Sequence, residues 1–320
     1  MQILLIGLGA GIVSALLFVA LASGSALSIA LFYLAPLPIM LAGLGWSHVA
    51  ALIAALVAAG GLGIGAGFWF SCAFLGSIGI PAYALSYLTM LARPASNGDY
   101  EWYPVGRVVL AAAILAAAAI ALTVPVFGFD LDSYRAALRE VFERVLRLQF
   151  NIAEGQPLRF PNGADGARMA EILAIVMPPL AAAISMLTQL ANLYIAGRIA
   201  RASGRLNRPW PDLSLLSFPH ATPFLLLGAF ALSFLHSILG LVGGVLSACL
   251  FVSYALLGLA VVHHVSRASS MRGLILGIVW ALLVVLGWPI AFLALIGLAD
   301  GILNFRGRFG PPNSNLTNRT

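Results

Sequence analysis

Apolar positions fill this chain in blocks too long and too continuous for the surface of a water-soluble fold. From Met1 to Ala92 there is no Asp, Glu, Lys or Arg, and the first formal charge is Arg93. A soluble surface needs charged side chains. A membrane-spanning helix needs about 20 apolar residues, with its backbone hydrogen bonds closed internally. Turn-formers make the breaks within this block. Ser23-Gly24-Ser25 divides run 2–22 from run 26–44, the stretch from Gly43 to His48 ends the second run, and Gly60 to Gly65 separates 47–62 from 67–92. Four helices are expected, with Pro36, Pro38 and Pro81 inside them. Neighbouring segments can take up the hydrogen bonds that proline removes.

The pattern then continues with polar interruptions. A loop at 93–106 precedes a fifth helix at 107–126, and 127–166 is a polar insertion. Within it, Leu131, Tyr134, Leu138, Val141, Phe142, Val145 and Leu148 recur at helical spacing, with Arg and Glu between them. That predicts an amphipathic helix over 130–150, on the outer membrane surface or capping the bundle. A sixth helix at 167–199 carries Pro178-Pro179 as a kink, and an arginine-rich loop, 198–212, follows. Residues 213–266 again hold no formal charge, and Gly240 and Gly243-Gly244 divide them into helices at 221–239 and 243–265. Run 273–305 would make one straight helix of about 48 Å, against a hydrocarbon core of about 30 Å. Gly287-Trp288-Pro289 at its centre predicts two short helices instead, with a single tilted helix as the alternative. The expected fold is all-α: a polytopic transmembrane helical bundle of about ten helices, within a range of eight to ten, with one external amphipathic helix. One integral membrane domain is expected over 1–304, with 305–320 as a polar, disordered cytoplasmic tail.

Charge gives the bundle two sides. All 17 basic residues are Arg. Eleven fall on one side: Arg93, Arg107, Arg198, Arg201, Arg205, Arg208, Arg267, Arg272, Arg306, Arg308 and Arg319. Six fall on the other: Arg135, Arg139, Arg144, Arg147, Arg159 and Arg168. Counting acids, the first side is +7 and the second −1. The positive-inside rule puts the first side, and both termini, in the cytoplasm.

Composition narrows the chemistry. At 61% hydrophobic and 9% charged, the chain belongs to the membrane class. Its net charge of +6 sits in short loops, so no nucleic-acid partner is expected. Without Lys there is neither a P-loop nor a Schiff base. The spans carry no acid pair, metal-ligand cluster or nucleophile motif, so no enzyme, cofactor or metal is expected. Cys72 and Cys249 lie in apolar runs and read as packing residues. The opening M-Q-I-L-L-I-G-L-G-A-G-I fails as a dinucleotide fingerprint, because Ile12 stands where the third Gly belongs.

Four features remain as candidates. Gly7, Gly11 and Ala15 form a small-residue face suited to close helix approach. Ser185, Gln189 and Asn192 recur at i, i+4 and i+7 on the sixth helix, and His236 lies mid-run in the seventh. Polar groups in hydrocarbon must find partners, so these four either tie helices together or line a solute site. His263 and His264 diverge by about 100° on a helix, a poor joint metal site, and read as interfacial. Arg201, Arg205 and Arg208 in the 198–212 loop, with Trp210 beside them, suit anionic lipid or a partner protein.

Three stretches carry a family resemblance: E-W-Y-P-V-G-R (101–107), N-L-Y-I-A-G-R-I-A-R-A-S-G-R-L-N-R-P-W-P-D (192–212) and G-W-P-I-A-F-L-A-L-I-G-L-A-D (287–300). Over most of its length the chain resembles the YybS-like family of predicted bacterial membrane proteins of unknown function, distantly similar to the S components of energy-coupling-factor transporters. The resemblance implies a bacterial inner membrane location. It also implies a solute-binding subunit that borrows ATPases and a membrane coupling subunit, with the Gly7, Gly11 and Ala15 face resembling the face presented to that subunit. The alternative is a non-transporting scaffold or assembly partner. A cavity lined by Ser185, Gln189, Asn192 and His236 favours transport, and solid packing there favours the scaffold.

Overall fold

At membrane depth a chain must close its own backbone hydrogen bonds, and the apolar runs do so as helices. A computed structural model of the protein describes residues 1–96, 98–153, 156–160, 164–303 and 306. Among these residues, seven stretches are long and apolar enough to cross a membrane: Gln2–Ser23, Ala26–Gly45, His48–Gly65, Phe68–Met90, Val105–Phe127, Gly166–Ala202 and Ile238–Ala268. Shorter apolar helices occupy Thr222–Leu232, Arg272–Leu286 and Ile290–Leu303. The all-α membrane bundle expected from the sequence is the fold observed, and the last apolar run is two helices, Arg272–Leu286 and Ile290–Leu303, with the chain turning at Gly287.

Prolines segment the first half. After α1 (Gln2–Val19), the second span is α2 (Ala26–Tyr33) and α3 (Pro36–Gly45), broken just before Pro36. Beyond α4 (His48–Gly65), the fourth span is α5 (Phe68–Phe74) and α6 (Ile80–Met90), joined by a π turn over Leu75–Gly79. Pro81 lacks the N–H that the carbonyl of Ser77 would otherwise accept, which is where the turn widens. Loop 93–106 contains a small antiparallel hairpin that the hydrophobic pattern did not reveal. It pairs β1 (Ala92–Pro94) with β2 (Tyr100–Trp102), and Arg93 stands opposite Glu101.

The chain continues through α7 (Val105–Ala121), α8 (Val124–Phe127) and the amphipathic α9 (Leu131–Phe150), which Asp130 caps through the N–H of Ser133. Leu131, Tyr134 and Leu138 are buried, whereas Val141, Val145 and Leu148 stay exposed. The first half of α9 and Phe142 therefore pack on the bundle, while Val141, Val145 and Leu148 face outward. Next, α10 (Gly166–Ala202) runs unbroken through Pro178-Pro179. At about 1.5 Å per residue it spans about 55 Å, so Asp165 before it and the 203–212 loop after it lie at opposite ends of the bundle.

The last four helices are α11 (Thr222–Leu232), α12 (Ile238–Val265), α13 (Arg272–Leu286) and α14 (Ile290–Leu303). The expected break near Gly240 is displaced. The chain turns at 233–237, and Ser237 caps α12 through the N–H of Gly240. Gly240 and Gly243 lie inside α12, where α11 packs closely on them. Gly258 and Gly297 bring α12 and α14 into backbone contact: a Cβ on either would overlap the other helix's main chain. Both helices end at the same segment, 212–214, so they run in the same direction.

Candidate functional site

Buried polar side chains gather in two places. The first is the middle of α10. Gln189 and Asn192 are buried there, while Ser185 is half-buried. Gln189 Nε2 donates to the carbonyl of Ser77 at 3.0 Å, the acceptor left over by Pro81. Asn192 Nδ2 donates to the carbonyls of Tyr33 and Thr188, both at 2.8 Å. The usual donor for Tyr33 is the N–H of Leu37, which turns instead to Leu34 where Pro36 disrupts the helix. Both amides thus restore hydrogen bonds that prolines removed from other helices. Beside them the seam between α10 and α12 is filled: Ser253 Oγ donates to the Cys249 carbonyl at 2.9 Å and touches Met186 Sδ at 3.7 Å. The amide oxygens, Gln189 Oε1 and Asn192 Oδ1, are buried without a partner among the described residues.

His236 does not join this group. It stands exposed in the turn between α11 and α12, with Nε2 3.4 Å from Oδ1 of Asp132 near the start of α9. The expectation of a mid-helix histidine is corrected by the early stop of α11 at Leu232. Two concavities stand out, and neither is lined by Ser185, Gln189, Asn192 or His236. One, of about 490 Å³, lies between α9 and α10 among Asp132, Arg139, Glu143 and Glu171. The other, of about 510 Å³, is an apolar groove along α11. The Gly7 and Gly11 face is also occupied within the chain. A Cβ on Gly11 would sit 2.6 Å from the Ala54 carbonyl of α4, and one on Gly7 would meet Ile53 at 2.7 Å. Ala15, at the same face, is half-buried.

The second gathering is charged and lies at the end of the bundle where loops 93–104 and 203–221 meet. Asp212 pairs with Arg267 at 2.8 Å and accepts from the N–H and hydroxyl of Ser214. The hydrogen bond from Arg267 holds its carboxyl at about 2. Asp300 and Arg306 form a second pair at 2.8 Å, their side chains 2% and 7% exposed. Arg306 also donates to the Ser214 carbonyl at 3.0 Å, which ties the end of α14 to the 212–214 segment. His264 is 1% exposed amid these four charges, and neither ring nitrogen has a hydrogen-bond partner among the described residues. This corrects the expectation of an interfacial histidine pair: His263 bonds back to Leu259, and His264 points inward.

Arg208 is likewise corrected, from a docking residue to an internal tie. It donates to the carbonyls of Thr89 at 2.7 Å and Tyr103 at 3.0 Å, and burial lowers its pKa. Thr89 lies in the last turn of α6, where carbonyls lack helical partners. Arg201 and Arg205 remain exposed. The polar tail expected from residue 305 onward lies outside the described residues except for Arg306, which is buried. The sequence pattern missed the Asp300–Arg306 pair because six residues is not a helix-neighbour spacing. One signal was available: a lone acid closing an apolar helix needs a partner.

No curated protein and no solved structure matches the chain. A family model described as "Predicted membrane protein (DUF2232)" matches residues 12–301, nearly the whole length, and the chain belongs to that family.

Proposed function

We propose that this protein works as a membrane-embedded assembly subunit, a packed bundle that holds partners or lipids in place. The observation that carries this reading is the use made of Gln189 and Asn192. Each donates to a proline-freed carbonyl on another helix, Gln189 to Ser77 and Asn192 to Tyr33, the role of interhelical ties.

One observation favours the second reading, a solute-binding subunit of the kind the energy-coupling-factor resemblance suggests. Gln189 Oε1 and Asn192 Oδ1 are buried acceptors without partners, and a donor group on a small solute could meet them. Native mass spectrometry of the protein extracted in mild detergent separates the two. The assembly reading expects retained lipid or protein and no stoichiometric small molecule, whereas a bound solute supports transport.

The Arg distribution and the resemblance support a bacterial inner membrane location with both termini cytoplasmic. The segments assigned to the arginine-rich side do meet: Arg208 reaches Thr89 and Tyr103, Arg267 reaches Asp212, and Arg306 reaches Ser214. In whole cells an impermeant thiol reagent should label Gln156→Cys and spare Arg205→Cys. The opposite pattern inverts the orientation.

A further inference from the structure

Seven of the arginines at this end of the bundle fall into two groups. Arg93 is paired with Glu101, Arg267 with Asp212 and Arg306 with Asp300, while Arg208 is spent on backbone carbonyls. Arg198, Arg201 and Arg205 are exposed, and among the described residues no carboxylate lies within ion-pair distance of them. Each is held instead on an indole face. Arg198 and Arg201 lie 5.9 and 5.6 Å from the centre of the Trp210 ring, and Arg205 lies 4.5 Å from that of Trp46. Trp210 folds back onto α10 over Gly197, where a Cβ would approach its ring to 3.2 Å. Tyr194 packs edge-on against the same indole and accepts from Arg198 at 3.4 Å.

We propose that Arg198, Arg201 and Arg205, positioned by Trp210 and Trp46, form a binding face for the phosphate groups of anionic phospholipids. Indoles settle at the boundary between hydrocarbon and headgroups. A guanidinium stacked on such an indole is held at the depth of the lipid phosphates, and apart from the one bond from Arg198 to Tyr194 the forks keep their N–H groups for a ligand. That fork matches phosphate oxygens in a bidentate way that ammonium does not. Among the described residues the three cations have no carboxylate counter-charge, so an anion supplied from outside completes them. This inference stands whether the bundle is an assembly subunit or a transporter subunit.

The test uses the full-length protein in detergent, titrated with phosphatidylglycerol or phosphatidylcholine and read by native mass spectrometry. Wild type should prefer the anionic lipid. Arg201→Gln and Arg205→Gln should each weaken that binding roughly fivefold, the worth of one basic residue near an anionic surface, with phosphatidylcholine binding and melting temperature unchanged. Arg205→Lys should recover only part of the loss. Arg208→Gln should do the reverse, lowering the melting temperature and leaving lipid preference intact. The proposal is overturned if wild type shows no preference, or if the Gln variants bind like wild type. It is also overturned if millimolar inorganic phosphate displaces the lipid fully, which points to a soluble anion. Co-purification of a protein that anionic lipid cannot displace overturns it in favour of a protein partner.

Discussion

The middle of α10 and the charged end of the bundle both bury polar side chains, but they handle them in different ways. At the middle, Gln189 and Asn192 are neutral and each answers a carbonyl on another helix. At the end, Asp300 and Arg306 are an ion pair so enclosed that desolvation opposes much of their attraction. A neutral amide that loses its partner costs a hydrogen bond. A buried charge that loses its partner costs far more, because nothing replaces its solvation. The contrast predicts where this fold is fragile: its interior should tolerate edits that its charged end does not.

Single substitutions at the charged end should have the largest effect. Asp300→Leu or Arg306→Leu leaves an uncompensated buried charge and should destabilise the protein by about 3–5 kcal/mol. The double Leu variant should recover most of that loss. Denaturant or thermal melts of the three variants in one detergent check this, and a double variant as unstable as the singles would remove the contrast between the regions. Arg208→Gln comes next, at about 1–3 kcal/mol, because the carbonyls of Thr89 and Tyr103 lose their shared donor.

At the middle, Gln189→Leu and Asn192→Leu should each cost about 1–2 kcal/mol or less. If either costs more than Arg306→Leu, the proposed ordering of the two regions is reversed. The smallest effect is at Asp212, whose side chain is 39% exposed and whose carboxyl is held at about 2, below its ordinary value of 3.8. A depressed carboxylate contributes stability that is fully present above pH 3.8 and lost as pH falls through 2. Wild type should therefore out-melt Asp212→Asn at pH 6, with the gap closing between pH 4 and pH 2.

Helix positions were legible because apolar run length and turn-formers act locally. The hairpin at Gly287-Trp288-Pro289 came from comparing a run's length with a bilayer's thickness. What each helix faces was less legible, since periodicity gives the spacing of a stripe and not the neighbour it meets. Gly7 and Gly11 were recognisable as a packing face, but nothing local said that α4 covers it. Gln189 and Asn192 were recognisable as needing partners; the partners, Ser77 and Tyr33, lie 112 and 159 residues away. Arg208 reads like Arg201 and Arg205 along the chain, and only the fold turns it inward. His236 was misplaced because α11 stops at Leu232, within a run whose composition gives no reason to stop there.

Solvent access at the middle of α10 tests most directly whether its polar stripe is packed. In a Cys72→Ser, Cys249→Ala background, single cysteines at positions 185, 189 and 205 are exposed to a small, charged thiol reagent in both leaflets' water. A packed stripe predicts rapid reaction at 205 and none at 185 or 189 on the same timescale. Reaction at 185 or 189 at a rate comparable to 205 would reveal a water-filled path beside Gln189 and Asn192, and the bundle would then be a solute-binding one.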